Sequence, residues 1–597
     1  MRSNTTNFTV RLLVIAALLT LCGALAARAN DAERPASSSD TPAAATNGAA
    51  ASSFAQQVDL APLSVVAVYT EGRVKSLESF CRAAMQFVSG SGLVNGQTPM
   101  FTYFDLMLRP KAYADIDLIY FKQKLMRAQV AQALSAAHTE GFDEARQAAF
   151  MKSGLLSSKL IMQPAVMKLL GQLSADVLRG ARFVQAIDTA LSVANPGSLR
   201  EALVLVAPSP PAGLQEPWLP IDAVFSADPR VQGIDSGLRE NIAIQWVNFT
   251  GSWQNQDAAA VNAAAVKLAS LLPTVNPEVY PQPKRLEWES WYFRNANMTW
   301  VWIFYALAMI PLLLGVVFRW SAAHWIGMLL FLVAFGAHTF AVMLRWYVSQ
   351  RWPNSNMFEA ITTAAWFGAC LTLILELIVA RKPMRGLFAV GSSVASMTAM
   401  MAVLKYPLEL NPDIRNVMPV LNDLWLYIHT NVIIFSYCLI FIAAVTAALY
   451  LLWRGIMVLQ GRGGAGAMEY AKVGGAGSLI LMRPDGSSYI DASKSSLGQI
   501  LDGTTMVVME LSFILLWSGI VMGAIWADHS WGRPWGWDPK EVFALNTFLV
   551  FLVLVHGRLK VKDKGLWTAV MALVGASVML FNWIIINFAI SGLHSYA

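Results

Sequence analysis

The second half of the chain carries eight apolar runs, each long enough to cross a lipid bilayer. About 20 apolar residues in an α-helix span the hydrocarbon core, and a span must be helical because lipid offers the backbone no hydrogen-bond partner. The runs cover approximately residues 299–318, 324–344, 359–380, 387–405, 430–453, 506–526, 542–558 and 566–590. The pattern therefore predicts a mainly α, polytopic helical membrane domain over 296–597, with about eight transmembrane helices.

The charges in the loops between these runs predict how the domain is oriented. Lys and Arg concentrate in three loops, at 381–385, 454–494 and 558–564. Basic loops stay on the cytoplasmic side of a membrane. The opposite side is therefore predicted for the C-terminus and for the loops at 345–358, 406–429 and 527–541.

The first part of the chain has the pattern of an exported domain. Arg2 and Arg11 precede an apolar stretch that is followed by small residues, which predicts a signal peptide over 1–29. Retention of this stretch as an anchor helix is the alternative. Residues 30–56 are rich in Ala, Ser, Thr and Asn, as flexible linkers are. Residues 57–295 are then predicted to form a soluble, mainly helical, extracytoplasmic domain.

Apolar spacing predicts helices within 57–295, but no motif there points to a reaction. The helical spacing is shown by two sets, Leu118, Phe121 and Leu125, and Val261, Ala264, Leu268 and Leu271. The sequence of this domain contains no metal-ligand cluster, nucleophile motif or phosphate-binding loop. Its pattern therefore indicates a fold class and no function.

Composition disfavours several classes of function. The net charge of +6 is modest and no stripe of Lys and Arg is present, so we expect no nucleic-acid partner. The chain has four cysteines and no CxxC motif. This disfavours thiol exchange, cysteine-ligated zinc and iron–sulfur clusters.

Between the sixth and seventh runs lies the sequence WGRPWGWDPKE, residues 531–541, which we call the tryptophan loop. Its glycines and prolines predict that the first half is not helical. Trp531, Trp535 and Trp537 make it a candidate platform for a flat, partly apolar ligand. An interfacial tryptophan belt is the alternative interpretation.

The second half of the tryptophan loop is predicted to start the next helix. Asp538, Pro539 and Glu541 fit the N-cap, the first and the third helical positions, where the two carboxylates can form a capping box. We therefore expect these carboxylates to position the loop rather than to transfer protons.

Two histidines are predicted on the same side of the membrane as the tryptophan loop. His429 lies at the outer end of the fifth run and His594 just past the eighth. Two neutral imidazoles beside an aromatic floor could supply both axial ligands of a haem iron. His529, directly before the loop, could compete as an outer ligand, and a histidine at a helix end is also a common interfacial residue.

Two further histidines are predicted inside the membrane. His556 lies near the inner end of the seventh run, where an ionisable residue is a functional candidate, although Arg558 nearby also fits an interfacial role. His338 lies in the second run, nearer its outer end. From the helical rise, His338 sits roughly 10 Å and His556 roughly 20 Å below the outer surface. This difference argues against a shared iron.

The motifs together resemble one family of membrane proteins. The tryptophan loop is similar to the WWD signature of haem-handling proteins, and most to CcsA (ResC), a component of the system II cytochrome c synthase. RWYVSQRWPNSNMFE at 345–359 resembles the family's RW…P-SN-YE segment, with Phe358 in place of tyrosine. LWLYIHTNVIIFSY and GLHSYA carry the two external histidines. The resemblance covers roughly 299–597.

The resemblance implies roles for the candidate residues. His429 and His594 would be the axial ligands of a haem held outside. That haem would contact the tryptophan loop through Trp531, Trp535, Trp537 and Asp538. His556 matches the family's inner histidine, whose partner ligand comes from a CcsB (ResB) membrane subunit.

The resemblance also implies a function, in a bacterial inner (cytoplasmic) membrane. Haem b, the transported substrate, would be moved to the outer face and presented to apocytochrome c, whose CxxCH cysteines add across the vinyl groups. The chain would then act in a holocytochrome c synthase of the haem lyase type, with a CcsB/ResB-like subunit, apocytochrome c and membrane lipid as partners. A haem transporter or chaperone without lyase activity is one alternative, and a scaffold with a docking loop is another.

Overall fold

The computed structural model describes residues 54–90, 94, 96–175, 180–211, 216–226, 228–378, 385–406, 410–416, 423–459, 497–586 and 590. These residues fall into two compact units, one ending at Asn295 and one beginning at Ala296. The predicted signal peptide at 1–29, most of the linker at 30–56, and His594 lie outside the described residues.

The first unit is built from short helices and two small antiparallel sheets. Its helices are α1 (Ala61–Ser64), α2 (Leu77–Ser89), α3 (Pro99–Leu108), α4 (Lys124–Ala136), α5 (Glu144–Ser153), α6 (Ser158–Ile161), α7 (Pro164–Ser174), α8 (Ala181–Val193), α9 (Pro196–Glu201), α10 (Pro229–Gln232), α11 (Ser236–Gln254), α12 (Ala258–Leu271) and α13 (Pro283–Arg294). The strands are β1 (Ala67–Thr70), paired with β2 (Arg73–Ser76), and β3 (Ile119–Tyr120), paired with β4 (Leu155–Leu156). The prediction of a mainly helical unit is confirmed.

One of the two spacing sets predicted a helix correctly and the other did not. Val261, Ala264 and Leu268 lie buried on α12. The set that begins at Leu118 spans the β3 strand instead, and α4 starts only at Lys124. Leu118 is buried but Leu125 is 71% exposed, so the two side chains do not share one buried helix face. That helix prediction is wrong.

A buried aspartate organises the core of the first unit. Both oxygens of the Asp105 carboxylate accept hydrogen bonds, from Trp253 Nε1 at 2.9 Å, from Arg109 Nε at 2.6 Å and from the Tyr113 hydroxyl at 2.9 Å. Aromatic side chains surround it in edge and tilted contacts, namely Phe54, Phe101, Phe104, Phe249 and Trp253. Since Asp105 is 2% exposed, these donors replace the hydrogen bonds that water would otherwise give its carboxylate.

The buried thiol of this unit shows no sign of reactive chemistry. Cys81 lies on α2 with none of its surface exposed. Burial, and then the nearby Glu78, raise the pKa of its thiol well above the ordinary value. A thiol held in its neutral form is a poor nucleophile, which agrees with the absence of a CxxC motif.

The second unit is a bundle of long apolar helices. They are α14 (Trp302–Phe318), α15 (Ser321–Ser349), α16 (Met357–Ile378), α17 (Leu387–Lys405), α18 (Leu424–Leu459), α19 (Leu497–Trp531), α20 (Pro539–Gly557) and α21 (Lys564–Phe581), followed by a π-helical turn over Asn582–Ile586. In the described part of the chain, eight helices are long and apolar enough to cross a membrane. The predicted number of spans is confirmed.

Two of these helices extend well beyond the predicted runs. With 36 and 35 residues, α18 and α19 are each about 50 Å long, and they pack against each other as the centre of the bundle. Charged pairs hold the ends remote from the tryptophan loop: Arg558 donates to Asp502 at 2.6 Å and Arg454 to Asp563 at 2.5 Å. We call the end that carries the tryptophan loop the loop end and the other the charged end.

We expect Asp105→Ala to destabilise the first unit, because three buried donors would lose their acceptor. Removing one partner of a buried ion pair costs about 3–5 kcal/mol, which corresponds to a decrease of roughly 10 °C in its melting temperature. Protease resistance of the 54–295 region, measured against temperature in the full-length protein, tests this. Asp115→Ala, which removes an exposed ion pair with Lys159, is the control and should change little. Equal decreases in melting temperature in the two variants would contradict the role of Asp105 in organising this core.

Candidate functional site

A cavity of about 270 Å³ opens at the loop end of the bundle. It lies where the starts of α16, α18 and α20 meet the ends of α19 and α21. Its lining consists of Asn354, Ser355, Asn356, Met357, Ala360, Leu426, Tyr427, His429, Thr430, Ile433, Ile434, Tyr437, Ile520, Gly523, Ala524, Trp526, Ala527, Pro534, Trp535, Lys540, Glu541, Ala544, Asn582 and Trp583. The volume lies just below the usual ~300–1,000 Å³ of small-molecule pockets, so a large flat ligand would be only partly enclosed.

The polarity of the lining changes with depth. Polar residues lie where the helices begin, namely Asn354, Ser355, Asn356, Thr430, Lys540 and Glu541. Tyr437, eight residues further along α18 than His429, lies about 12 Å deeper among the apolar Ile433, Ile434 and Trp583. The cavity therefore suits an amphipathic ligand.

His429 lines this cavity with a defined tautomer. Its Nδ1 lies 2.7 Å from the carbonyl oxygen of Gly519 on α19. A carbonyl only accepts, so Nδ1 must donate, which places the lone pair on Nε2. Metal-binding histidines use this arrangement, because a hydrogen bond from the other ring nitrogen fixes the orientation of the ring.

The imidazole of His429 lies against a glycine of the neighbouring helix. A Cβ atom at Gly523 would be 2.6 Å from Cε1 and 2.8 Å from Nδ1 of the ring. Any larger residue at 523 must displace the ring. The position of His429 therefore depends on α19 through both Gly519 and Gly523.

The tryptophan loop contributes one of its three tryptophans to the cavity. Trp535 lines it. Trp531 is the last residue of α19 and packs on Trp526 with ring centroids 4.8 Å apart. Trp537 is 73% exposed and its ring lies 6.0 Å from that of Trp535, nearly perpendicular to it. The three rings thus do not form one flat surface.

The predicted capping box at the start of α20 is confirmed. The Asp538 side chain caps the helix and Glu541 returns to the N-cap backbone. Glu541 Oε2 accepts from the backbone N–H of Gly536 at 2.9 Å and of Asp538 at 3.1 Å. These bonds fix the chain on both sides of Trp537, so the carboxylates shape the loop.

The other predicted histidines that the structure describes do not line the cavity. His338 on α15 is fully buried, and both ring nitrogens are hydrogen-bonded: Nε2 donates to the Thr362 carbonyl and Nδ1 accepts from the Tyr305 hydroxyl, each at 3.1 Å. His556 is exposed near the charged end, with Nδ1 donating to Leu552 O at 2.9 Å. His529 is exposed on the last turn of α19.

The deep wall of the cavity was not predicted from the sequence. Asn582 is 5% exposed and its amide donates to the Tyr437 hydroxyl at 2.9 Å. Trp583 follows on the π-helical turn and makes an edge contact with Tyr437. The sequence signal was an asparagine within the eighth apolar run, and π-helical turns occur frequently at functional sites.

We expect Gly523→Ala to displace the His429 imidazole, since the added Cβ overlaps the ring. Diethylpyrocarbonate labelling, read residue by residue by mass spectrometry, should show a changed modification rate at His429 and an unchanged rate at His529. Gly455→Ala on the same helix as His429 is the control, because a Cβ there meets no atom within 4 Å. Identical rates in the two variants and the wild type would contradict the described packing.

The cavity lies within the part of the chain that is similar to known proteins. Residues 354–594 match the model of the family described as cytochrome c assembly protein. The chain is 31% identical over 261 residues to the cytochrome c biogenesis protein CcsA of Porphyra purpurea, covering 42% of this chain and 81% of that protein. It is 31% identical over 261 residues to CcsA of Parasynechococcus marenigrum (43% and 82%) and 30% identical over 263 residues to CcsA of Thermosynechococcus vestitus (42% and 81%). The protein therefore belongs to the CcsA-type cytochrome c biogenesis family.

Proposed function

We propose that this protein binds haem in the cavity at the loop end and presents it for attachment to apocytochrome c. The proposal is carried by the state of His429. Its Nδ1 bond to the Gly519 carbonyl places the ring's lone pair on Nε2, and the residue lines an aromatic cavity. Membership of a cytochrome c biogenesis family makes haem the fitting ligand. Haem b would be the substrate, and not a resident cofactor.

The lining fits a haem in its chemistry. Imidazole nitrogen is a common axial ligand of haem iron, and Trp535 and Trp583 offer aromatic surface to a macrocycle. Lys540 and the amides of Asn354 and Asn356 would meet polar substituents at the mouth. We propose His594 as the second axial ligand; it lies outside the described residues.

The protein's part in the reaction would be positioning. In thioether formation a cysteine thiol adds across a vinyl group: a sulfur–carbon bond forms at one carbon, the other carbon takes the proton, and no oxidant is needed. The reacting groups belong to haem and apocytochrome, so the synthase contributes by holding them in reach. The carboxylate of Glu541 is occupied by backbone N–H groups, which agrees with a positioning role.

We further propose that a CcsB/ResB-like membrane subunit completes a haem uptake site at His556. The exposed stripe of α20 contains two polar residues, Asn546 and His556, and α19 beside it exposes Glu510. By contrast, the large exposed residues of α15 are apolar, for example Trp325, Leu329 and Val333. Lipid does not satisfy polar groups, so the α19–α20 face fits a protein partner.

In this proposal the tryptophan loop faces outward and the charged end inward, in a bacterial cytoplasmic membrane. Haem taken up at His556 would reach His429 at the opposite end of the bundle. The basic loops support this orientation. Assembly with the partner would make the protein part of a holocytochrome c synthase.

We expect His429→Ala to lower haem retention or to change the ligand field of the iron, because an axial nitrogen is lost. The visible absorption spectrum of the purified protein measures both, and added imidazole should partly restore the wild-type spectrum. His529→Ala, an exposed histidine at the same end, is the control and should leave the spectrum unchanged. A wild-type spectrum for His429→Ala would remove the ligand assignment.

Attachment of haem to a co-expressed CxxCH reporter separates a synthase from a carrier that only hands haem on.

His556→Ala should reduce the haem content of the protein co-expressed with its partner, while reconstituted haem still binds at the loop end. The physical reason is that uptake and outer ligation use different histidines at opposite ends of the bundle. His324→Ala is the matched control, since His324 lies in the first turn of α15, on a different helix at the same end. Normal haem content together with full reporter maturation would reduce His556 to an interfacial residue.

A further inference from the structure

We propose that Glu359 is a positioning residue for His429. Together with Arg345 and Arg351 it anchors the 351–356 segment, and this segment fixes the first turns of α18, on which His429 lies. The inference rests on the proposed haem ligation by His429. It assigns a task to a buried ion cluster that touches neither the imidazole nor the cavity.

The anchor is a buried cluster of three charges. Glu359 Oε1 accepts from Arg345 Nε at 2.8 Å, and Oε2 accepts from Arg351 Nη1 at 2.8 Å and from the backbone N–H of Ser355 at 2.7 Å. The side chains of Arg345 and Glu359 are 2% and 0% exposed, and that of Arg351 is 12% exposed. One carboxylate thus holds two helices and the chain between them.

Backbone carbonyl groups accept further hydrogen bonds from the two guanidinium groups of the cluster. Arg345 Nη1 donates to Pro412 O at 2.9 Å and Arg351 Nη2 to Arg415 O at 3.2 Å. Asn356 adds a bond from its amide to Asp413 O at 2.9 Å. The 410–416 chain is thereby fixed against the 351–356 segment. Loss of the Glu359 charge would leave two buried guanidinium groups uncompensated, which is costly.

The anchored segment bonds to the two residues that follow His429. Trp352 Nε1 donates to Asn431 Oδ1 at 3.1 Å, and the Asn354 amide donates to Thr430 Oγ1 at 3.1 Å. His429 is therefore held from two sides, by these bonds through its own helix and by Gly519 through its ring.

The start of α18 needs such support. His429 is the sixth residue of the helix that begins at Leu424, so it lies in the second turn, and terminal turns open most readily. Asp423 caps this end, accepting from the N–H of Trp425 at 2.7 Å. A cap satisfies donors at the helix start, but it does not fix the rotation of the helix about its axis. The hydrogen bonds from Trp352 and Asn354 to residues of α18 do fix this rotation.

If the Glu359 cluster only stabilised the fold, its loss would affect folding but would have no specific effect on His429. The chain offers a matched control, since Asp502 pairs with the buried Arg558 at the charged end, 2.6 Å apart. Asp502→Asn removes a comparable buried ion pair far from the cavity. An effect of Glu359→Gln on His429 that Asp502→Asn does not reproduce identifies positioning.

The test uses the full-length protein in detergent with two measurements. The first is the rate of diethylpyrocarbonate modification at His429 in the haem-free protein. The second is the rate of haem dissociation from the haem-loaded protein. The variants are Glu359→Gln, Trp352→Phe and Asn431→Leu. The last two remove the bond between Trp352 and Asn431, neither of which lines the cavity. Asn431→Leu also removes the bond from the Asn431 amide to the Tyr427 carbonyl, 2.6 Å long.

We expect each of the three variants to change His429 labelling and to speed haem dissociation roughly two- to tenfold, the range for loss of one net hydrogen bond. Combining Trp352→Phe with Asn431→Leu should add little to Asn431→Leu alone, because Asn431→Leu already removes the bond that Trp352→Phe removes. Asp502→Asn should leave both measurements at wild-type values.

Unchanged His429 labelling and unchanged haem dissociation in Trp352→Phe and Asn431→Leu would overturn the proposal, even if Glu359→Gln failed to fold. Equal effects of Asp502→Asn would also overturn it. If the wild-type protein bound no haem, the proposed function would fail, while the labelling of His429 would still decide whether the cluster positions its ring.

Discussion

The interior of a bilayer gives polar groups no hydrogen-bonding solvent, and this constraint determines what the polar residues of the bundle do. His338 satisfies both ring nitrogens within the protein, so it is a structural residue of the α15–α16 packing. His429 bonds to Gly519 through Nδ1 and lines the cavity. Glu359 is fully buried but has two arginines. Together these cases show that the surroundings of a polar side chain, rather than its residue type, distinguish a structural residue from a candidate ligand.

The same reasoning links the loop end to a chemical role. Bonds from backbone N–H groups to Glu541 shape the tryptophan loop, and the buried cluster at Glu359 shapes the 351–356 segment, which contributes other residues to the cavity lining. His429 lines the same cavity. Charged side chains therefore fix the backbone of both segments, while the lining that a ligand would meet is largely aromatic, aliphatic and uncharged polar, with Lys540 and Glu541 at the mouth. Such a site holds a large amphipathic molecule in a defined orientation, which is what attachment of haem to a second protein requires.

The sequence predicted those features that depend on local pattern. Eight spans follow from apolar length, and the Asp538–Glu541 box follows from residue spacing at a helix start. Apolar spacing failed at Leu118 because a short strand also buries such residues. The full lengths of α18 and α19 could not be predicted, since their ends are stabilised by tertiary pairs such as Arg558 with Asp502. Asn354, Tyr437 and Asn582 come from three distant segments, and only the folded bundle brings them to one cavity.

The central claim is that haem iron is bound by Nε2 of His429 in the cavity at the loop end. A cryo-electron microscopy map of the haem-loaded, full-length protein tests it most directly. The account predicts the macrocycle in the cavity lined by Trp535 and Trp583, the iron coordinated by His429 Nε2, and the Nδ1 bond to Gly519 retained. Haem bound elsewhere at the loop end, with His429 facing away from the iron, would contradict it.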